Sequence, residues 1–275
     1  MMRWRKAEPL VVRYEQAVYG SFPFWDKGYA ILAQSPGVKP EWLNEFRLAC
    51  QRFGEQPTSF SESPSAMFCL RTQSGLFLIV GVGSPGNDDR GRPGALCFHG
   101  LFVTAREFRK ARFDPFALAS ALRREWLADE PMLPVGIGAV PPAVVADVYG
   151  IDQDIDCRYL TSVLIERRKI AVESSTPIDR LAERVWFHLP EKVRRRSSVA
   201  TLAFGNGNLF DLVAFPKLSG VALDRSYVNN DPPPKPVAEA SPFDLWRKQR
   251  RWSIVGYGLV IVVLVIVYLV STTRR

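Results

Sequence analysis

Apolar and polar positions follow three different rhythms along this chain, and each predicts a different kind of element. In the first half, β-branched and aromatic runs are broken by turn residues. Leu10 to Tyr19 is one such run, and Tyr29 to Ala33 is placed to pair with it across the loop Gly20 to Gly28. Ala66 to Arg71, Gly75 to Val82 and Ala95 to Val103 read as three strands joined antiparallel by short loops, and their continuous apolar stretches predict burial on both faces. Helical spacing interrupts the strands. Pro40 supplies a first-turn proline, Trp42, Leu43, Phe46 and Ala49 recur on one face, and Gly54 closes the segment. Thr104 is placed to cap a short helix through Ala111. Asp114 with Pro115 predicts a second, running through Leu118, Leu122 and Trp126 to about Ala128, because the carboxylate accepts from orphan N–H groups and proline needs no donor there.

The period changes in the second half. Pro142 to Tyr149 predicts a brief helix ended by Gly150, Arg158 to Arg167 another, and Lys169 to Glu173 a short strand. Thr176 and Pro177 start the clearest amphipathic helix, with Ile178, Leu181, Val185 and Leu189 on one face, Asp179 and Glu183 near its start, and Pro190 as its stop. Ser198 to Phe204 and Leu209 to Phe215 flank Gly205, Asn206, Gly207 and Asn208, which predicts a hairpin. The expected fold class is α+β, with a strand-rich first half and an α/β second half over residues 1–228, as one body or as two subdomains meeting near 130–155.

The third rhythm has no polar beat. From Trp252 to Val270 there is no charged side chain, and thirteen positions are Ile, Leu or Val. As a helix this run spans roughly 27 Å, enough to cross a hydrocarbon core with slight thinning or snorkelling. In lipid every backbone polar group must be satisfied within the segment, so a helix is the single-pass solution even with seven valines. Residues 252–271 are therefore expected to form a single C-terminal transmembrane helix, followed by a short tail, 272–275. Asn229 to Leu245 forms a proline-rich linker, and 246–251 a basic juxtamembrane segment. Arg247, Lys248, Arg250 and Arg251 precede the span, against Arg274 and Arg275 beyond it, which places the N-terminal domain in the cytoplasm and the chain in the cytoplasmic membrane. Trp252 and Tyr268 lie about 24 Å apart along such a helix, the spacing of two interfacial aromatic belts. So late a span predicts insertion after synthesis, as in a tail-anchored protein. No signal peptide is expected: Met1 to Lys6 is basic, but Glu8, Pro9, Arg13 and Glu15 interrupt any apolar core.

Composition narrows the classes. The chain has 275 residues, of which 47% are apolar and 12% aromatic, which excludes a disordered chain and allows a large core. Cys50, Cys69, Cys97 and Cys157 show neither metal-ligand spacing nor a disulfide-dense pattern, so buried thiols are expected. The net charge is +8, of which residues 231–275, with seven basic and three acidic side chains, account for +4; in the rest, basic side chains recur in clusters: Arg106, Arg109, Lys110 and Arg112; Arg123 and Arg124; Arg167, Arg168 and Lys169; Lys192 and Arg194 to Arg196. Beside an anionic leaflet such cations would add surface attraction; the plainer alternative is solvated charge. No pattern for sequence-specific nucleic-acid reading accompanies them.

Gly81, Gly83 and Gly86 spell GxGxxG after an apolar strand, where a dinucleotide fingerprint would stand. The context fails, since Asn87, Asp88, Asp89, Arg90, Gly91 and Arg92 follow instead of a helix start, and two carboxylates would repel a pyrophosphate. His99 is the weak catalytic candidate: a general base with Asp88, Asp89, Arg90 or Arg92 as partners, or else a structural histidine bonded to a backbone carbonyl in the sheet. His188 is expected to complement a helix dipole. Two distant histidines make a metal site unexpected, and no cofactor is implied.

Three passages together resemble the N-terminal region of the GTPase-associated protein one type, a bacterial conflict-system family. They are Glu15 to Gly20 with Gly28, Tyr29 and Gln34 to Gly37; Gly91 to Gly94 leading to Phe98, His99, Gly100 and Leu101; and His188 to Glu191 with Arg194 to Arg196 and Ser198 to Thr201. The resemblance covers residues 14–215 and implies a cytosolic component of GTPase-centred conflict or signalling systems, with no catalytic residue to carry over. The functional expectation is a membrane-tethered interaction or adaptor protein with a protein partner, which the resemblance implies is a GTPase or effector. Its alternatives are a membrane-anchored, hydrolase-like enzyme with a pocket around His99, and an anionic-lipid sensor.

Overall fold

The computed structural model describes residues 10–57, 65–123, 136–140, 157–205, 210–219, 221, 223 and 226–229. The chain divides into two compact units, Met1–Asp231 and Pro232–Arg275, and the second lies wholly outside the described residues. So do the expected transmembrane span, the expected helix over Pro142–Tyr149 and the expected linker apart from Asn229, which is strand instead. Among the described residues no helix is long and apolar enough to cross a membrane.

The first unit is a mixed α+β fold built on one large sheet. Its first half supplies β1 (Leu10–Phe22), β2 (Trp25–Gln34), α1 (Pro40–Phe53), β3 (Ala66–Arg71), β4 (Phe77–Asn87), β5 (Pro93–Val103), α2 (Ala105–Lys110) and a 3-10 helix (Phe116–Ala121). The rest supplies β6 (Gly136–Val140), α3 (Cys157–Ile165), β7 (Lys169–Glu173), α4 (Asp179–His188), α5 (Glu191–Arg194), β8 (Val199–Ala200), β9 (Leu212–Phe215) and β10 (Tyr227–Asn229). The strands run in the order β10-β7-β9-β8-β3-β4-β5-β1-β2, with β6 on the N-terminal half of β1. From β3 to β2 all pairings are antiparallel, and β8, β9, β7 and β10 pair in parallel.

Helices cover both faces, which is why the central strands carry unbroken apolar runs such as Phe77 to Val80 and Leu101 to Val103. On β4, Phe77 and Ile79 face the cluster under α2, α3 and α4, while Leu78, Val80 and Val82 face the cluster under α1. Phe46 on α1 packs where β5 has Gly100; a Cβ there would lie 2.8 Å from the Phe46 ring. Trp186 of α4 is fully buried on the opposite face and donates its indole N–H to the Phe113 carbonyl at 3.0 Å.

Several elements differ from the sequence expectation. The loop Gly20 to Gly28 is instead strand: Phe22 pairs with Trp25 across a two-residue turn, Pro23 presetting its backbone. Asp114 does start a helix, accepting from the Phe116 N–H, but it is a single 3-10 stretch ending at Ala121, after which Leu122 is extended. The amphipathic helix begins at Asp179 because the Ile178 N–H is held by the Thr201 carbonyl. Its buried face includes Ala182 and Trp186, beside the expected Val185. The predicted hairpin after Ser198 is absent. Val199 and Ala200 pair parallel with Leu212 and Val213, and the chain then leaves the sheet so that the Phe204 and Gly205 N–H groups both donate to the Phe53 carbonyl at the end of α1. Asn206 to Leu209 lie outside the described residues.

Candidate functional site

Three sets of polar residues stand out in the described unit: His99 inside the sheet, the acidic loop between β4 and β5, and the arginines on the helical face.

His99 lies in the middle of β5, opposite Gly81 on β4 and Val18 on β1, with no exposed surface. Gly81 leaves room above the sheet for the chain leaving the 3-10 helix; a Cβ at Gly81 would come 3.0 Å from the Leu122 Cβ. The next residue, Arg123, donates its backbone N–H to His99 Nδ1 at 2.9 Å. Because that nitrogen accepts, the neutral ring carries its proton on Nε2, which lies 2.9 Å from the Gln16 Oε1 of β1 and donates to it. Burial, helped by the charge of Arg123, pushes the imidazole pKa down to about 3. At neutral pH His99 is therefore an uncharged ring whose lone pair is already engaged. It fixes where the Leu122–Arg123 segment crosses the sheet, a structural role like the expected one but with a backbone amide and a side-chain amide as partners.

The acidic loop is not at His99. His99 and Pro93 are six residues apart on one strand, roughly 20 Å. Asp88 folds the loop around itself, accepting from the Arg90 N–H (2.9 Å), the Arg92 N–H (2.8 Å) and the Arg92 guanidinium (2.6 Å). Removal from water works against its charged form, but the hydrogen bonds from Arg92 and Arg90 outweigh this and hold its carboxyl below the usual range. Asp89 reaches the neighbouring hairpin, accepting from the Ser21 hydroxyl at 2.8 Å and the Gly28 N–H at 3.0 Å. Thus Asp88 and Arg92 are brought together, Asp89 joins Ser21 and Gly28, and none of the three meets His99. The glycines of the GxGxxG pattern are strand and bulge residues of β4, followed by β5.

The basic clusters separate. Lys110 bonds Glu107 and the Val11 carbonyl, and Arg123 lies over His99, whereas Arg112, Arg167, Arg168, Arg195 and Arg196 are exposed. Arg194 is partly buried near Asp114; burial lowers its pKa. Asp114 is itself pushed up to about 6, by burial first. His188, in the last turn of α4, is exposed against the ring of Phe187. The four cysteines are buried thiols; burial raises Cys50 and Cys69 and pushes Cys97 up to about 12. Among the described residues no group of three His, Cys, Asp or Glu side chains is placed to hold a metal ion. The expected membrane-interface residues Trp252, Tyr268, Arg247, Lys248, Arg250 and Arg251, and the cation Arg124, lie outside the described residues.

Sequence reasoning missed Gln16, Ser21 and Gly28 as partners, since each acts across a strand pairing that no local pattern specifies. Comparisons with protein-family models, with curated proteins and with solved structures gave no match.

Proposed function

We propose that this chain is a membrane-tethered interaction protein that presents an α+β domain at the cytoplasmic face of a bilayer to a protein partner. The observation that carries this reading is the stretch Trp252 to Val270, uncharged and with thirteen Ile, Leu or Val residues. Summing the centre-of-helix values for these residues, insertion is favourable by several kcal/mol. The cations Arg247, Lys248, Arg250 and Arg251 orient the preceding domain towards the cytoplasm. Tethering then supplies function by itself, because it raises the effective concentration of the domain towards anything else held at the membrane. The resemblance to the GTPase-associated family makes a GTPase or its effector the partner of choice.

The polar chemistry of the domain fits this reading better than the hydrolase alternative. His99 is enclosed with both ring nitrogens bonded, Asp88 is committed to folding its own loop and Asp89 to tying that loop to the neighbouring hairpin. The test is affinity capture of the full chain from solubilised membranes in a mild non-ionic detergent. A stoichiometric protein companion that survives washing is expected. A chain that purifies alone from native membranes across several mild detergents contradicts the adaptor reading.

A further inference from the structure

Three basic segments that lie far apart in sequence meet at one corner of the helical face. The Arg196 guanidinium donates to the Ile165 carbonyl at 3.0 Å, which joins the end of α5 to the end of α3, where Arg167 and Arg168 follow. The Arg195 guanidinium lies 5.9 Å from the centre of the Phe113 ring, which joins it to the segment after α2. Arg194 feels the charges of both Arg112 and Asp114. Among the described residues, none of these six arginines has a carboxylate within ion-pair distance. The carboxylates standing against them are Glu191, exposed, Asp114, which faces Arg194 and is largely enclosed, and Asp211, half-buried and bonded to Ser198, which feels the charge of Arg196; Glu166, exposed, precedes Arg167 in the chain.

Two more observations mark the same corner. Arg112, Phe113 and Arg167 are the non-glycine residues with positive φ (52°, 55° and 65°) among the described residues, a left-handed backbone that costs on the order of 1 kcal/mol each. Ile165, 45% exposed, sits at the end of α3, its carbonyl bonded by Arg196 and with Arg167 and Arg168 two and three residues on. An apolar side chain beside cations suits the boundary of head groups and acyl chains, where the apolar group enters and the guanidiniums pair with phosphate.

We propose that the corner formed by Arg112, Arg167, Arg168, Arg194, Arg195 and Arg196 docks the domain onto an anionic phospholipid surface. The inference rests on the tethering reading for its partner: a span at 252–270 leaves residues 230–251 as the connection, on the order of 70 Å when extended and about 27 Å as a coil, so a leaflet stays within reach of the domain. A membrane is favoured over an acidic protein because exposed cations and an exposed apolar side chain coincide here. Docking would set which face of the domain remains open to the protein partner.

The test compares the full chain in nanodiscs of phosphatidylcholine alone with nanodiscs containing about 30% phosphatidylserine, by amide hydrogen exchange. Expected is protection of 109–113, 165–168 and 192–196 in the anionic discs alone, reversed by about 0.5 M salt. At roughly fivefold per cation, the double variant Arg168→Gln/Arg195→Gln should weaken docking about 25-fold while leaving exchange in the β4 and β5 core unchanged. The salt reversal needs no variant, so misfolding cannot hide the answer. Equal protection in both lipids, or protection by polyglutamate and not by anionic discs, overturns the proposal. A chain that fails to enter nanodiscs contradicts the tethering instead, and flotation with preformed anionic and neutral vesicles then tests the corner alone: binding to the anionic vesicles supports it, binding to neither overturns it.

Discussion

His99 on β5 and Gln16 on β1 are diagonal neighbours across two paired strands, Nε2 and Oε1 2.9 Å apart, and the amide oxygen accepts the one proton the ring carries. With the Arg123 N–H on the other nitrogen, this pair makes a buried ring the latch for the segment that leaves the 3-10 helix.

The latch has a pH signature. The His99 pKa falls from an ordinary value near 6.5 to about 3 on folding, so its contribution is fully present above pH 6.5 and is lost as pH falls towards 3. The expected loss from this group between pH 7.5 and 5.5 is about 1.4 kcal/mol. Denaturant unfolding of the protein in non-ionic detergent, followed by tryptophan fluorescence, measures it. His99→Leu should be less stable at pH 7.5 yet lack this acid slope; an unchanged slope would show that another group carries it. Nitrogen-15 shifts of the ring should report the neutral Nε2–H form down to pH 5.

Asp114 works in the opposite sense. Its carboxyl is pushed up to about 6 by burial, so the folded state holds the proton more tightly than the unfolded chain, and stability rises as pH falls from 6 towards 4. Asp114→Asn keeps an acceptor for the Phe116 N–H while removing the buried charge. It should gain about 1–3 kcal/mol at pH 7.5, with the gain vanishing by pH 4. A loss at pH 7.5 would mean that the field of Arg194 outweighs burial.

Asp89 ties two hairpins at the Ser21 hydroxyl and the Gly28 N–H. Asp89→Ala removes the shared acceptor and leaves the buried Ser21 hydroxyl short of one partner, a cost of about 1–3 kcal/mol. Gly28 amide exchange should speed up markedly while the centre of β4 keeps its protection. Unchanged exchange at Gly28 would show that the turn holds itself.

Much of this fold is legible in the chain, and the boundary of that legibility has physical causes. The three central strands and α1 announce themselves because burial on both faces forces unbroken apolar runs, and because Pro40 and Gly54 punctuate the helix. Thr104 is found capping α2 as its side chain predicts. The parallel pairing of β8 with β9 is not legible, since Gly205 to Asn208 carries a local hairpin signal that the non-local bonds of Phe204 and Gly205 to Phe53 override. For His99 the sequence favours a structural role over a base but does not name its partners, because Gln16 and the backbone of Arg123 are placed by pairings of far-apart segments. The gathering of Arg112, Arg167 and Arg196 is of the same kind: each cluster is visible in sequence, their convergence is not.

The central claim is that the uncharged stretch 252–270 makes this chain an integral membrane protein with its domain on the cytoplasmic side. Alkaline carbonate extraction of cell membranes, with protease treatment of sealed inside-out vesicles, tests it most directly. The account predicts full-length chain in the carbonate pellet and digestion of the domain from the exposed cytoplasmic face. Release of the intact chain into the high-speed supernatant without detergent contradicts it.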